Sequence, residues 1–209
     1  MMLEKKTTEF LDELSSSSPF PGGGGASAAV GAFASALGLM VANLTVGKKR
    51  YVEVEEEVKE IREKLIDLQN KLIVLTDRDA EAFEPVAKAY GMPKDTPEQQ
   101  AEKDKVMEAA LWEASIVPME IMEEIYEVMK LLKILGEKGS KMALSDIGVG
   151  ILFGQAALEG ASFNIFINTK SMKNRENAKF LDDKADALIA EAENLYREVY
   201  YSVLAKIRS

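Results

Sequence analysis

A chain of 209 residues, 47% of them hydrophobic, has enough apolar surface for one buried core and is not a disordered polymer. Cysteine and histidine are both absent, which excludes disulfides, cysteine nucleophiles and thiolate or imidazole metal sites, and leaves acid–base chemistry to Asp, Glu, Lys or Tyr. The net charge of −9 argues against a nucleic-acid binder. The charged start Met1-Met2-Leu3-Glu4-Lys5 lacks a signal peptide's apolar core, so a cytoplasmic protein is expected.

In chain order, the first predicted element is an amphipathic helix over Leu3 to Leu14, with Leu3, Phe10, Leu11 and Leu14 facing inward. Ser15 to Ser18 and Pro19-Phe20-Pro21 end it. Four glycines, Gly22 to Gly25, then lead into an apolar helix of small residues, Ala26 to Val46. No charge falls between Glu13 and Lys48, so a membrane span is the rival reading. Ala34, Gly38 and Ala42 recur every four residues, as do Gly31 and Ser35, which lets helices approach closely. A buried helix at the centre of a bundle is therefore preferred.

From Val52 to Tyr90, Val54, Val58, Ile61, Leu65, Leu68, Leu72 and Leu75 alternate steps of four and three, a coiled-coil seam. Asp79 occupies the next seam position, and Ala82 and Val86 resume the stripe. Gly91-Met92-Pro93 breaks this helix. Thr96-Pro97-Glu98-Gln99 restarts one with a capping box, and it is expected to kink at Pro118 and stop at Gly136. A second apolar helix spans Ala143 to Ile167, where Asp146 and Glu159 disfavour a membrane. A polar break over Asn168 to Asn174 precedes a last helix carrying Leu181, Ala185, Leu188, Ala192, Leu195 and Val199. The expected architecture is all-α: a long-helix bundle forming a single domain over residues 1–209.

Several features invite chemistry, each with a plainer explanation beside it. The glycine run before a helix suits close backbone approach to a ligand, or a turn that packs two helices tightly. Lys48, Lys49 and Arg50 follow a helix end, so they either complement its dipole or form an anion site near Asn43. Tyr51 stacks on a ring or packs. Asp79 is either a polar seam residue or a buried carboxylate that exchanges protons near neutrality. Asp146, next to Ser145, is an anion at a helix N-terminus or a second catalytic carboxylate. Asn164, inside an apolar segment, needs hydrogen-bond partners.

Pro21-Gly22-Gly23-Gly24, Met40-Val41-Ala42-Asn43-Leu44-Thr45-Val46-Gly47-Lys48-Lys49, Asp79-Ala80-Glu81-Ala82-Phe83, Ser145-Asp146-Ile147-Gly148-Val149 and Ala161 to Asn168 occur in this order. Together they resemble the formiminotetrahydrofolate cyclodeaminase domain over essentially the whole chain. The stretch Gly139 to Met142 departs from that family's asparagine-containing turn. The resemblance implies an all-helical homodimer acting on a tetrahydrofolate derivative, mono- or polyglutamylated, with no cofactor, metal, nucleic acid or membrane. Its members convert 5-formiminotetrahydrofolate to 5,10-methenyltetrahydrofolate and ammonia, or hydrolyse the methenyl compound to 10-formyltetrahydrofolate. The first activity is expected here and the second is the alternative; a folate-binding module or helical scaffold without turnover is more distant. On this resemblance Asp79 and Asp146 share proton transfer. Gly22, Gly23, Gly24, Asn43, Ser145 and Asn164 contact the substrate, and Lys48 and Lys49 meet the glutamate tail.

Overall fold

The seam read from the sequence sets the architecture. In this computed structural model, which describes residues 1–18 and 20–209, Val58, Ile61, Leu65, Leu68, Leu72 and Leu75 are all buried along one helix, Glu55–Tyr90. Lys59 supports its exposed side by pairing with Glu55 at 3.0 Å and Glu56 at 2.8 Å. The six α-helices among the described residues are, in order, α1 (Thr7–Leu14), α2 (Gly23–Thr45), α3 (Glu55–Tyr90), α4 (Pro97–Lys138), α5 (Leu144–Ser171) and α6 (Arg175–Arg208). No strand occurs among the described residues. The expected all-α bundle of long helices is what forms.

Helices α2, α3, α4 and α5 run alternately up and down and close a four-helix ring, with α2 also reaching α4 across the centre. Helix α6 packs outside this ring against α5 and α4. Small residues hold the ring tight. A Cβ on Gly31 would meet Ile125 Cγ1 at 2.7 Å, and one on Gly154 would meet Met129 Cγ at 2.6 Å. The repeat of small residues in α2 thus serves close packing on α3, α4 and α5, with Ala28, Ala34, Ser35, Val41 and Ala42 fully buried. Helix α2 and the segment Lys141–Ser171 are each long and apolar enough to cross a bilayer by length and composition alone.

Several boundaries differ from expectation. Leu3 lies in a separate 3-10 turn, Met2–Glu4, so α1 starts only at Thr7, and Leu11 is 54% exposed rather than inward. Pro19 lies outside the described residues. The glycine run is not a loop: Gly22 is the N-cap and Gly23 to Gly25 form the first turn of α2. A 3-10 turn over Lys49–Val54 delays the start of α3. Thr96 accepts from the Gln99 N–H and completes the predicted capping box of α4, but that helix continues past Gly136 to Lys138. Helix α5 runs through the expected polar break to Ser171, because Asn168 and Thr169 are buried and hydrogen-bonded there.

The outward faces of α2 and α5 stay apolar. Phe33, Met40 and Leu44 on α2, and Val149, Leu152, Phe153, Phe163 and Ile167 on α5, are exposed at helical spacing. The two helices are neighbours, so these stripes merge into one surface.

Candidate functional site

The first turn of α2 meets the middle of α3 at Asp79. Its Oδ2 accepts a hydrogen bond from the Gly25 N–H at 3.0 Å. Gly24 makes this approach possible, because a Cβ there would fall 2.2 Å from Asp79 Oδ1 and 2.5 Å from Cγ. Burial pushes the Asp79 carboxyl above the ordinary carboxylate range, and the Gly25 N–H partly offsets that rise. The seam carboxylate is thus desolvated, held by one backbone donor, and paired with no cation among the described residues.

Asp79 borders a cleft of about 160 Å³, lined also by Phe20, Gly22, Gly23, Phe83, Ala114, Asn164, Ile167 and Asn168. That is room for one small ring system, short of the ~300–1,000 Å³ that buries a whole drug-sized ligand. Phe20 and Phe83 meet edge to face with centroids 6.3 Å apart. The Asn164 amide donates long hydrogen bonds of 3.4 Å to the Gly160 and Ala161 carbonyls. Gly22, Gly23, Gly24, Asp79 and Asn164 are therefore brought together at one end of the bundle.

The other expected residues gather at the opposite end. Asn43 is exposed near the end of α2, and Gly47, at φ +76°, turns the chain toward exposed Lys48, Lys49 and Arg50. Ser145 and Asp146 stand in the first turn of α5, Ser145 exposed and Asp146 half-buried. This corner is pinned by the buried Thr45 hydroxyl, which accepts from the Ser140 N–H at 2.9 Å. Tyr51 accepts from the Lys141 N–H at 3.1 Å, and that bond holds its phenol below the ordinary value. Lys48, Lys49, Arg50 and Lys141 form no ion pair among the described residues, so these cations are free to meet an anion.

Helical rise puts the two ends ~30 Å apart within one chain, from Gly23 to Asn43 along α2. Asp79 and Asp146 do not meet in a protomer. The sequence reading did not single out Phe20, Phe83, Ala114, Ile167 or Asn168 as lining residues. For the two asparagines a signal existed: Asn164 and Asn168 stand four apart on one face of an apolar helix.

A family model described as Formiminotransferase-cyclodeaminase matches residues 6–187. A methenyltetrahydrofolate cyclohydrolase of Methylorubrum extorquens is 41% identical over 198 residues, covering 95% of each chain. The formimidoyltransferase-cyclodeaminase of Rattus norvegicus is 28% identical over 191 residues, 91% of this chain but 35% of that longer protein. Among solved structures, the formiminotetrahydrofolate cyclodeaminase of Thermotoga maritima superposes with a TM-score of 0.88 at 31% identity, over 99% of this chain and 100% of that one.

Proposed function

The chain belongs to the formiminotransferase-cyclodeaminase family, and from that premise we propose that it is a methenyltetrahydrofolate cyclohydrolase. The observation that carries the reading is Asp79, a desolvated carboxylate with a single hydrogen bond at the wall of a ring-sized cleft. The cyclohydrolase ranks above the cyclodeaminase expected first because the relative at 41% identity, matched over nearly its full length, carries that name.

The bridging carbon of 5,10-methenyltetrahydrofolate shares a positive charge with N5 and N10. A carboxylate in a dry cleft favours that cation and, made more basic by burial, accepts a proton from water. As the water oxygen bonds to the bridging carbon, its proton passes to Asp79. The carbon–N5 bond then breaks, its electron pair goes to N5, and Asp79 returns the proton there. The remaining hydroxyl proton leaves to solvent as the formyl carbonyl forms on N10. One carboxylate serves both transfers, as one is found in the cleft.

Cyclodeamination is the second reading, supported by the likeness to the Thermotoga maritima enzyme. There the same carboxylate would take the N10 proton and pass it to the departing nitrogen. Absorbance at the methenyl band separates the two: a catalysed fall with 5,10-methenyltetrahydrofolate alone is expected. A catalysed rise with 5-formiminotetrahydrofolate would make the protein a cyclodeaminase, and no rate above the uncatalysed control in folded protein would remove the enzyme reading.

The working unit in this reading is a homodimer formed through the outward faces of α2 and α5. Helices of this length, side by side, offer on the order of 600 Å² of projected face, of the size a stable dimer buries per partner (~800 Å²). Its apolar stripe includes Phe163, 71% exposed, and reaches the cleft at Ile167, 67% exposed. A two-fold axis parallel to the helices would set the two unpaired lysine clusters side by side. An axis across them sets each cluster beside the partner's carboxylate end, which electrostatics favours. Lys48 and Lys49 then reach the glutamate tail of a folate whose pterin lies in the partner's cleft.

Mixing two defective variants tests this arrangement. Asp79→Asn and the double change Lys48→Glu/Lys49→Glu are each expected to be impaired at low concentrations of polyglutamylated substrate. After subunit exchange, about a quarter of the sites are undamaged, because half the dimers are mixed and each carries one intact site. Recovery of that order supports a shared site, and no recovery despite confirmed exchange rejects it.

A further inference from the structure

Asn168 owes its position to a proline on another helix. Backbone hydrogen bonds in an α-helix run from the N–H of one residue to the carbonyl four before it. Pro118 lies inside α4 and has no N–H, so the Ala114 carbonyl is left without its helical donor. Asn168 on α5 fills the gap, its Nδ2 donating to the Ala114 carbonyl at 3.1 Å. The residue is only 5% exposed, and a buried carbonyl without a donor would be costly.

This bond fixes which way the amide faces. A carbonyl only accepts, so the nitrogen faces Ala114 and the side-chain oxygen faces away. Asn168 and Ala114 both line the cleft that holds Asp79. The Asn168 oxygen accepts no hydrogen bond from the described residues, and it is not among the side-chain oxygens sealed inside without a partner. An oriented, unpaired acceptor therefore stands at the cleft, one helical turn from Asn164 and near the edge-to-face pair of Phe20 and Phe83.

We propose that Asn168 is a specificity-determining residue, its Oδ1 accepting an N–H from the 2-amino group of the pterin head. The inference rests on the folate reading and deepens it by naming the group that reads the ring. A 2-amino-4-oxo ring presents that donor. Replacing the amine by a second oxo group sets a carbonyl against the Asn168 oxygen, two acceptors face to face. A site built around a hydrogen bond discriminates strongly against a ligand that lacks it.

The test compares competition by a reduced pterin and by its 2-oxo counterpart, a reduced lumazine, in the methenyl absorbance assay. The wild-type protein is expected to prefer the amino ring by at least about tenfold. Asn168→Leu alone strands the Ala114 carbonyl, so the informative variant is Asn168→Leu/Pro118→Ala, in which a restored backbone N–H satisfies that carbonyl. It is expected to fold, to turn the folate over only with a raised KM, and to lose the preference, whereas Pro118→Ala alone keeps both the KM and the preference. A folded double variant with the wild-type preference would reduce Asn168 to a packing role and overturn the proposal while leaving the function intact. Wild-type protein without turnover of either folate would overturn both.

Discussion

Asp79→Asn is expected to lower turnover by about 10²–10⁴-fold, the usual contribution of a positioned acid–base group, without lowering stability at neutral pH. The two halves of this expectation share one cause. Burial raises the carboxyl of Asp79 in the folded protein above its value in the unfolded chain. The folded state therefore binds that proton more tightly, and the stability this adds is present at acid pH and lost as pH rises through the folded-state value. Above that value the wild-type protein thus holds a desolvated charge that it would be more stable without. Asparagine removes the charge, and its own oxygen can still accept from the Gly25 N–H. Thermal unfolding followed across pH should show a wild-type loss of stability above the ordinary carboxylate range that the variant lacks. The rate constant kcat/KM of the wild type should rise over the same interval as the base ionises. Full turnover in Asp79→Asn would dismiss the carboxylate as the proton carrier, and a large fall in its melting temperature would mean that Asp79 serves the fold instead.

What the sequence made legible follows from period. The seam from Val58 to Leu75 needed only steps of four and three, and every one of those side chains is buried. The capping box at Thr96 was equally local. The start of α2 was not, because four consecutive glycines have poor helix propensity. Gly23 to Gly25 nonetheless form its first turn, where α3 leaves no room for larger residues, with Asp79 against Gly24 and the Thr76 carbonyl 3.2 Å from a Cβ at Gly25. Asp79 itself stood out as a charge in an apolar register. Its distance from Lys48, Lys49 and Asp146 did not, since motif order along a chain says nothing of which end of a bundle each motif reaches. Asn168 was hidden for another reason. It opened what looked like a polar break, and the signal that buries it lies on a different helix, in the N–H that Pro118 lacks.

Gly24→Ala is expected to reduce turnover by about 10²-fold or more while leaving the helix as stable as before, and Gly23→Ala to leave both turnover and stability unimpaired. The neighbouring positions are both in the first turn of α2, where alanine favours the helix over glycine by up to about 1 kcal/mol. They differ in what a methyl group would meet. At Gly23 the nearest atom is Asn164 Nδ2 at 3.9 Å, an ordinary contact. At Gly24 it is the Asp79 carboxylate at 2.2 Å, a separation no pair of atoms sustains. Asp79 ends a side chain that can swing aside, so the fold absorbs the change cheaply. In swinging, the carboxylate gives up the Gly25 N–H and its place at the cleft wall. A displacement of about 1 Å in a reacting group can cost 10²-fold in rate. Side-by-side melting curves and methenyl assays of the two variants decide the matter. Equal loss of activity in both would mean that the substrate approaches this backbone too closely to admit a Cβ. Full activity in Gly24→Ala would mean that the position of Asp79 against α2 has no part in the chemistry.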